Sequence, residues 1–442
     1  MSRLELTALA GVKPLLKNRY PQLVVLVLML AAYLFAIVTG LIASPVGSSN
    51  FSVVFVWIAW WALLILVAVP FLGRAWCAVC PIPLPGEWLQ RGAVLGPADA
   101  RPRRRLRWPR PLRNIWLQSA AFLLLALFSA QLLTSPLVTA VVLAGLLLAA
   151  IALSAAFERR SFCRYLCPVG GFIGLYSQAA PIELRIKEKT VCAACLGKPC
   201  YNGSAEGYGC PWDVFPGGLT KNTYCGLCME CIRTCPHDNI AINLRPFAAD
   251  LQQPAARLDE AFKSFVMLGS AIIYSAVLLG PWSMLKDAAY RIGSWSWWGY
   301  SAAVLALVCV LLPGLFALCS GLGGDVRAFR LRFSRMSAAL IPLGLTAWIA
   351  FSLSFVLANA SYVLAAASDP LNLGWNLLGT AHISWQPLLT AGVAPLQTLV
   401  LAAGLLWSAR VAQKAAAESR ISPMPVMAYA AAAVLLLMWL LL

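Results

Sequence analysis

Tyr224-Cys-Gly-Leu-Cys-Met-Glu-Cys-Ile-Arg-Thr-Cys-Pro236 carries four cysteines, Cys225, Cys228, Cys231 and Cys235, in the spacing C-x2-C-x2-C-x3-C-P. Three thiolates on so tight a loop can reach three corners of one iron–sulfur cube, while the fourth points away to ligate a second. Structural zinc usually draws on two cysteine pairs held apart by a longer spacer, so the run predicts a [4Fe-4S] centre. Upstream, Cys192-x2-Cys195-x4-Cys200 is followed, after an insertion, by Cys210-Pro211. Together the two runs predict two cubanes with exchanged fourth ligands: Cys192, Cys195, Cys200 and Cys235 for the first, and Cys225, Cys228, Cys231 and Cys210 for the second. The proline after each closing cysteine fixes the backbone there and cannot continue a helix.

The surrounding chain is far too apolar for a soluble globule. Of 442 residues, 61% are hydrophobic and 12% charged, against about 45–50% and about 25% in soluble domains. Mean hydropathy is +0.77. Nine apolar stretches are long enough to span a bilayer: 21–43, 51–72, 115–134, 137–157, 262–284, 297–320, 337–358, 390–409 and 424–442. The first follows a basic N-terminus without a small-residue cleavage site, so it is expected to be a retained span. The fold class expected is an all-α polytopic membrane protein with an inserted two-cluster ferredoxin-like domain. Its parts are four spans in 1–157, the cluster domain in 158–261 and a five-helix membrane region in 262–442.

The net charge of +17 raises the question of nucleic acid, and its distribution answers it. Basic residues crowd the N-terminus (Arg3, Lys13, Lys17, Arg19), the loop after the second span (Arg101, Arg103, Arg104, Arg105, Arg107, Arg110, Arg113), and the stretches 327–335 and 410–420. The alternate segments 44–50 and 359–389 carry no Lys or Arg, and only Lys286 and Arg291 disturb the pattern. This is the positive-inside distribution. It predicts a bacterial inner membrane protein with its N-terminus and clusters in the cytoplasm, and no nucleic-acid partner. Thiols on that side stay reduced, which favours metal ligation over disulfides for twelve of the fourteen cysteines. Cys309 and Cys319 lie among Leu, Val and Ala and read as small apolar residues.

An internal repeat links the cluster domain to the membrane. The first two spans end in Arg74-Ala-Trp-Cys77-Ala-Val-Cys80-Pro81, the next two in Arg160-Ser-Phe-Cys163-Arg-Tyr-Leu-Cys167-Pro168. Two parallel hairpins related by an axis along the membrane normal would bring both pairs together. Cys77, Cys80, Cys163 and Cys167 could then hold a third [4Fe-4S] cluster, or remain free thiols.

These paired hairpins, followed by the two-cluster insert and the stretch G-Y-G-C-P-W…N-x-x-C-G-L-C-M-E-C (207–231), resemble the NapH/NosR-type, polyferredoxin-like membrane iron–sulfur proteins over residues 70–245. The first pair here is C-x2-C-P where that family usually has C-x3-C-P. The resemblance implies an electron carrier rather than a stand-alone catalyst, passing electrons between a quinone pool or soluble donor and a respiratory redox partner. An accessory protein supplying electrons for assembly of a metalloenzyme is the alternative. A quinone site could lie in the outer segment, where His382 has Asp369, Trp385 and Gln386 near it in sequence, or at the basic edge near Trp88 and Gln90. His237, just after Cys235-Pro236, is a candidate hydrogen-bond donor to a cluster. The loop 101–113 could set topology, or dock an acidic ferredoxin, flavodoxin or reductase subunit.

Overall fold

The computed structural model describes residues 3–95, 105–252, 257–321 and 325–442. Arg101, Arg103 and Arg104 of the basic loop lie outside them. Among the described residues eight helices are long and apolar enough to cross a membrane: Tyr20–Ile42, Phe51–Leu72, Pro136–Ala156, Leu258–Leu279, Trp295–Cys319, Val326–Asn359, Thr390–Ser419 and Met424–Leu441. The chain is an all-α polytopic membrane protein with a small cluster-binding domain.

The stretch read as a third span, 115–134, is not one continuous helix. It divides into Trp116–Leu127 and Ser129–Thr134, with Phe128 between them at φ −100° and ψ 14°. The break turns the Phe128 ring onto Trp297, centroids 5.3 Å apart. Two other helices outrun their apolar stretch. Residues 327–335, read as a basic loop, fold as the helix Val326–Met336 that leads into the next span. Arg410 and Lys414 lie on the continuation of Thr390–Ser419. Hydropathy marks the bilayer thickness, whereas arginine and lysine are good helix formers and let the helix run on.

By internal contacts the chain divides into two compact units, 1–34 with 67–118 and 143–250, and 35–66 with 119–142 and 251–442. The first contains a three-stranded antiparallel sheet of β1 (Leu4–Glu5), β2 (Ile182–Ile186) and β3 (Ile240–Leu244), in the order β1-β3-β2. Leu184, Ile240 and Ile242 pack with Cys200, Leu227, Cys231 and Ile232 into one small core. Beside the sheet, Glu183 and Asp250 accept from Arg245, and Asp250 also accepts from Arg185 at 3.0 Å. These charges are buried but mutually paired, the condition under which buried ions are tolerated.

The N-terminal segment is stitched to this domain by more than the β1 pairing. Arg3 pairs with Glu183 at 2.7 Å, Lys13 with Asp238, and Arg19 with Glu230 at 2.9 Å. The basic N-terminus therefore has a packing role of its own, which charge counting alone did not indicate.

The second unit is held by aromatic and small-residue packing. Trp348, 1% exposed, meets Trp61, Phe122, Tyr274 and Phe351 at centroid distances of 5.0–6.0 Å. The indole nitrogen of Trp61 donates to the Ser352 hydroxyl at 2.9 Å. Gln397 donates to the Ala350 carbonyl at 2.8 Å, satisfying a polar side chain where water is absent.

Candidate iron–sulfur centres

The first ferredoxin-type group is assembled from three short helices and one loop. Cys192 lies in Lys189–Ala194, Cys195 caps it in extended conformation, Cys200 lies in Pro199–Asn202 and Cys235 closes Glu230–Thr234. Asn239 ties the two ends of this set together. Its side-chain amide donates to the Cys192 sulfur at 3.2 Å and its backbone N–H to the Cys235 sulfur at 3.3 Å. Its carboxamide oxygen accepts from Glu188 N at 2.9 Å, which fixes the side-chain orientation. Burial pushes the Cys200 thiol up to about 11, with Cys235, Cys192 and Cys195 each adding to the shift.

The second group rests on unusual backbone. Leu227 (φ 48°) and Met229 (φ 65°) are both left-handed, a conformation rare for side chains of that size and concentrated at functional sites. They reverse the chain on either side of Cys228. Gly226 lies so close to the Trp212 indole that an added Cβ would overlap the ring. Cys210 joins from the other run. The insertion before it closes on itself through the Ser204–Gly207 bridge, and Cys210 N donates to the Tyr201 carbonyl at 3.3 Å. The extra residues thus form a side loop that returns Cys210 next to the helix bearing Cys200. Burial is the largest cause of the raised thiols here, taking Cys225 to about 11 and Cys228 to about 12, and Cys210 adds to both. Backbone N–H groups of Leu227, Glu230 and Trp212 act the other way, donating toward Cys225, Cys228 and Cys210.

The four remaining thiols sit at helix ends. Cys77 is in Ala75–Val79 and Cys80 caps it, while Cys163 lies in the π-helical turn Phe162–Leu166. Cys167 is the N-cap of Pro168–Tyr176, its sulfur accepting from Gly170 N at 3.2 Å. A Cβ on Gly170 would meet the Cys163 carbonyl at 3.0 Å, so the turn bearing Cys163 packs closely on the start of the helix that Cys167 caps. Burial raises Cys80 and Cys163 strongly and Cys167 to about 11; each also feels the other cysteines of this set. The two motifs contact each other through their arginines, Arg160 donating to the Cys77 carbonyl at 3.2 Å and Arg74 to the Gly170 carbonyl at 3.0 Å.

Among the described residues, no three His, Cys, Asp or Glu side chains stand close enough to hold a single metal ion. Tetrahedral zinc with Zn–S of ~2.3 Å would set its sulfurs roughly 3.8 Å apart. The all-cysteine donor sets and the N–H groups aimed at sulfur fit cubane clusters.

Other candidates take up different places. His237 is exposed, and the donor to Cys235 is Asn239. His382 is also exposed. Asp369 accepts from Leu373 N and Gly374 N, and Trp385 donates to the Ala358 carbonyl, so that segment is occupied with its own loop geometry. The Gln90 amide donates to the carbonyls of Ser154, Phe157 and Arg159 at 2.8–3.2 Å, capping the end of a span. Trp108 is buried and stacks on Tyr165 at 5.1 Å, which makes it a wedge under the basic loop. Cys309 and Cys319 are partly buried within Trp295–Cys319.

A small open cleft of about 50 Å³ lies beside Cys228. Leu23, Leu26 and Leu84 give it an apolar side, and Arg91 and Tyr208 a polar one. The Arg91 guanidinium lies 4.0 Å from the centre of the Tyr208 ring. The Tyr208 hydroxyl is buried with no hydrogen-bond partner among the described residues. Sequence reasoning placed Tyr208 only within a motif; its position in the cleft depends on the looped insertion.

Two comparisons with known proteins agree with this chemistry. The family described as 4Fe-4S binding domain matches residues 53–109 and 139–187. Those two ranges are the repeated hairpins, one holding Cys77 and Cys80 and the other Cys163 and Cys167. Over 149 residues the chain is 30% identical to an Escherichia coli (strain K12) protein named "Putative electron transport protein YccM". The match covers 31% of this chain and 38% of that relative, so the chain spans well under half of its length. No solved structure is significantly similar. The chain is a multi-pass membrane protein whose two repeated hairpins match a 4Fe-4S binding domain.

Proposed function

We propose that the chain is a membrane-bound relay of the NapH/NosR type, passing single electrons between a quinone-pool or soluble donor and a respiratory redox partner. Cys192, Cys195, Cys200 and Cys235 hold one cubane; Cys225, Cys228, Cys231 and Cys210 hold a second; Cys77, Cys80, Cys163 and Cys167 hold a third. When bound, the cubanes supply one-electron redox chemistry. The chain's own part is to bury the ligands, aim N–H donors at sulfur and keep neighbouring sets in contact.

The observation that supports this reading is the packing of cysteines from both ferredoxin-type runs into one small core. Cys200 of the first set and Cys231 of the second are buried together in that core, with Cys225 and Cys235 packed against it. Arg160, three residues before Cys163, lines the same cleft as Cys228 and donates to the Cys77 carbonyl at 3.2 Å, which supports including the membrane-edge set. In this proposal residues 158–261 form the cluster domain on the cytoplasmic side, between the hairpins of 1–157 and the helices of 262–442. The cleft beside Cys228 is where a quinone headgroup would dock. Its apolar wall continues the first span, and the Tyr208 hydroxyl supplies a donor to a quinone carbonyl.

Deletion of the gene tests relay against the accessory role. Respiratory electron flow lost while the terminal enzyme remains fully assembled supports the relay. A terminal enzyme that accumulates without its metal centre contradicts it.

A further inference from the structure

The repeat places an arginine three residues before the first cysteine of each pair, Arg74 before Cys77 and Arg160 before Cys163. The two are buried alike, 4% and 6% exposed, yet their partners differ. Arg160 has a counter-ion: its guanidinium donates to both carboxylate oxygens of Glu87, which Arg91 also pairs with at 3.3 Å, and another of its donors reaches the Cys77 carbonyl at 3.2 Å. Arg74 has no carboxylate within ion-pairing distance among the described residues. It donates instead to the Gly170 carbonyl at 3.0 Å and to the Thr223 carbonyl, and lies 4.3 Å from the centre of the Trp212 ring. Its Nε is buried with no partner.

Those carbonyls locate the charge. Gly170 is the residue whose N–H donates to Cys167, and Thr223 precedes Cys225 by two residues. A buried guanidinium without a counter-ion is costly, and a site that retains one must offset it with negative charge from elsewhere. Thiolate-ligated clusters supply that charge. We propose that Arg74 is an uncompensated positive charge held between the Cys225 set and the membrane-edge set. It raises the reduction potential of both, while Arg160 at the equivalent place in the repeat is silenced by Glu87. The proposal rests on the assignment of clusters to these two sets.

Each one-electron reduction adds a negative charge to the centre, so a nearby cation stabilises the reduced form and a nearby anion opposes it. The electron comes from the donor and leaves to the next centre; no proton or bond is exchanged with Arg74. Arg74 is thus a tuning residue, and its charge should bias electrons toward the boundary between the insert and the hairpins.

The test is a potentiometric titration, followed by electron paramagnetic resonance, of anaerobically purified full-length protein. Arg74→Gln is expected to lower the midpoint potentials of the two sets by about tenfold in the reduced-to-oxidised ratio, ~59 mV for a one-electron couple. The signal of the Cys192 set should stay in place, and Arg74→Lys should restore most of the shift. Glu87→Gln, which unmasks Arg160, is expected to move the same two signals upward. Potentials unchanged in both neutralising variants, at wild-type iron content, overturn the proposal. If Arg74→Gln fails to load iron, Glu87→Gln decides alone, and an unmoved or lowered potential there overturns it. Wild-type protein without iron in these sets instead defeats the cluster assignment on which the proposal rests.

Discussion

The insert and the hairpin ends bring cysteines together by opposite means. In the insert, loops do the work: left-handed Leu227 and Met229 bend the chain around Cys228, and Gly226 lets it pass against Trp212. At the hairpin ends, the thiols stand on helix termini, with Cys167 capping Pro168–Tyr176 and Cys77 inside a short helix. The insert has a small sheet and a core in which Cys200 and Cys231 are themselves members. The hairpin ends continue spans whose folding is driven by the membrane. A loop-built site should therefore need its metal in order to fold, as small metal domains do. A helix-built site should keep its shape when empty.

Substitutions can break that contrast. The largest effect is expected for Cys231→Ser. It removes a ligand and a core residue together, so the insert should lose about four irons and become sensitive to limited proteolysis within 190–245. Cys77→Ser should also lose about four irons yet keep the proteolytic pattern of wild type. Equal protease sensitivity in the two variants would contradict the division. Gly226→Ala comes next. Its new methyl must displace the Trp212 ring, an overpacking cost of about 1–3 kcal/mol, read as a lowered thermal midpoint of the insert with Cys77-set spectra unchanged. Asn239→Ala should be smaller. It removes the amide bond to Cys192 and the link to Glu188, about 1–2 kcal/mol of local stability, and should lower the potential of the first set alone. In the cleft, Tyr208→Phe deletes one hydroxyl and should slow quinol-driven reduction while dithionite reduction stays at wild-type extent.

Much of this was legible in the residues. The spacings of Cys192–Cys235 and the duplicated Cys-Pro ends are local patterns whose chemistry constrains geometry, and hydropathy located the spans because bilayer thickness fixes their length. What was not legible depends on contacts distant in sequence. Leu4–Glu5 pairs with β3 more than 230 residues away, and two residues carry too little pattern to announce a strand. Asn239 looks like an ordinary turn residue until its amide reaches Cys192. Phe128 interrupts a mainly apolar stretch at a point no local pattern marks, and its ring lies against Trp297. Arg74 and Arg160 hold the same place in the motif, yet only Arg160 has a carboxylate partner, Glu87, which belongs to neither repeat motif.

The most direct test of the three-set account is iron and acid-labile sulfide per chain in anaerobically purified protein, measured beside Cys77→Ser. The account predicts about twelve of each in wild type and about eight in the variant. About eight in both would show that the membrane-edge cysteines hold no cluster and that the relay ends within the insert.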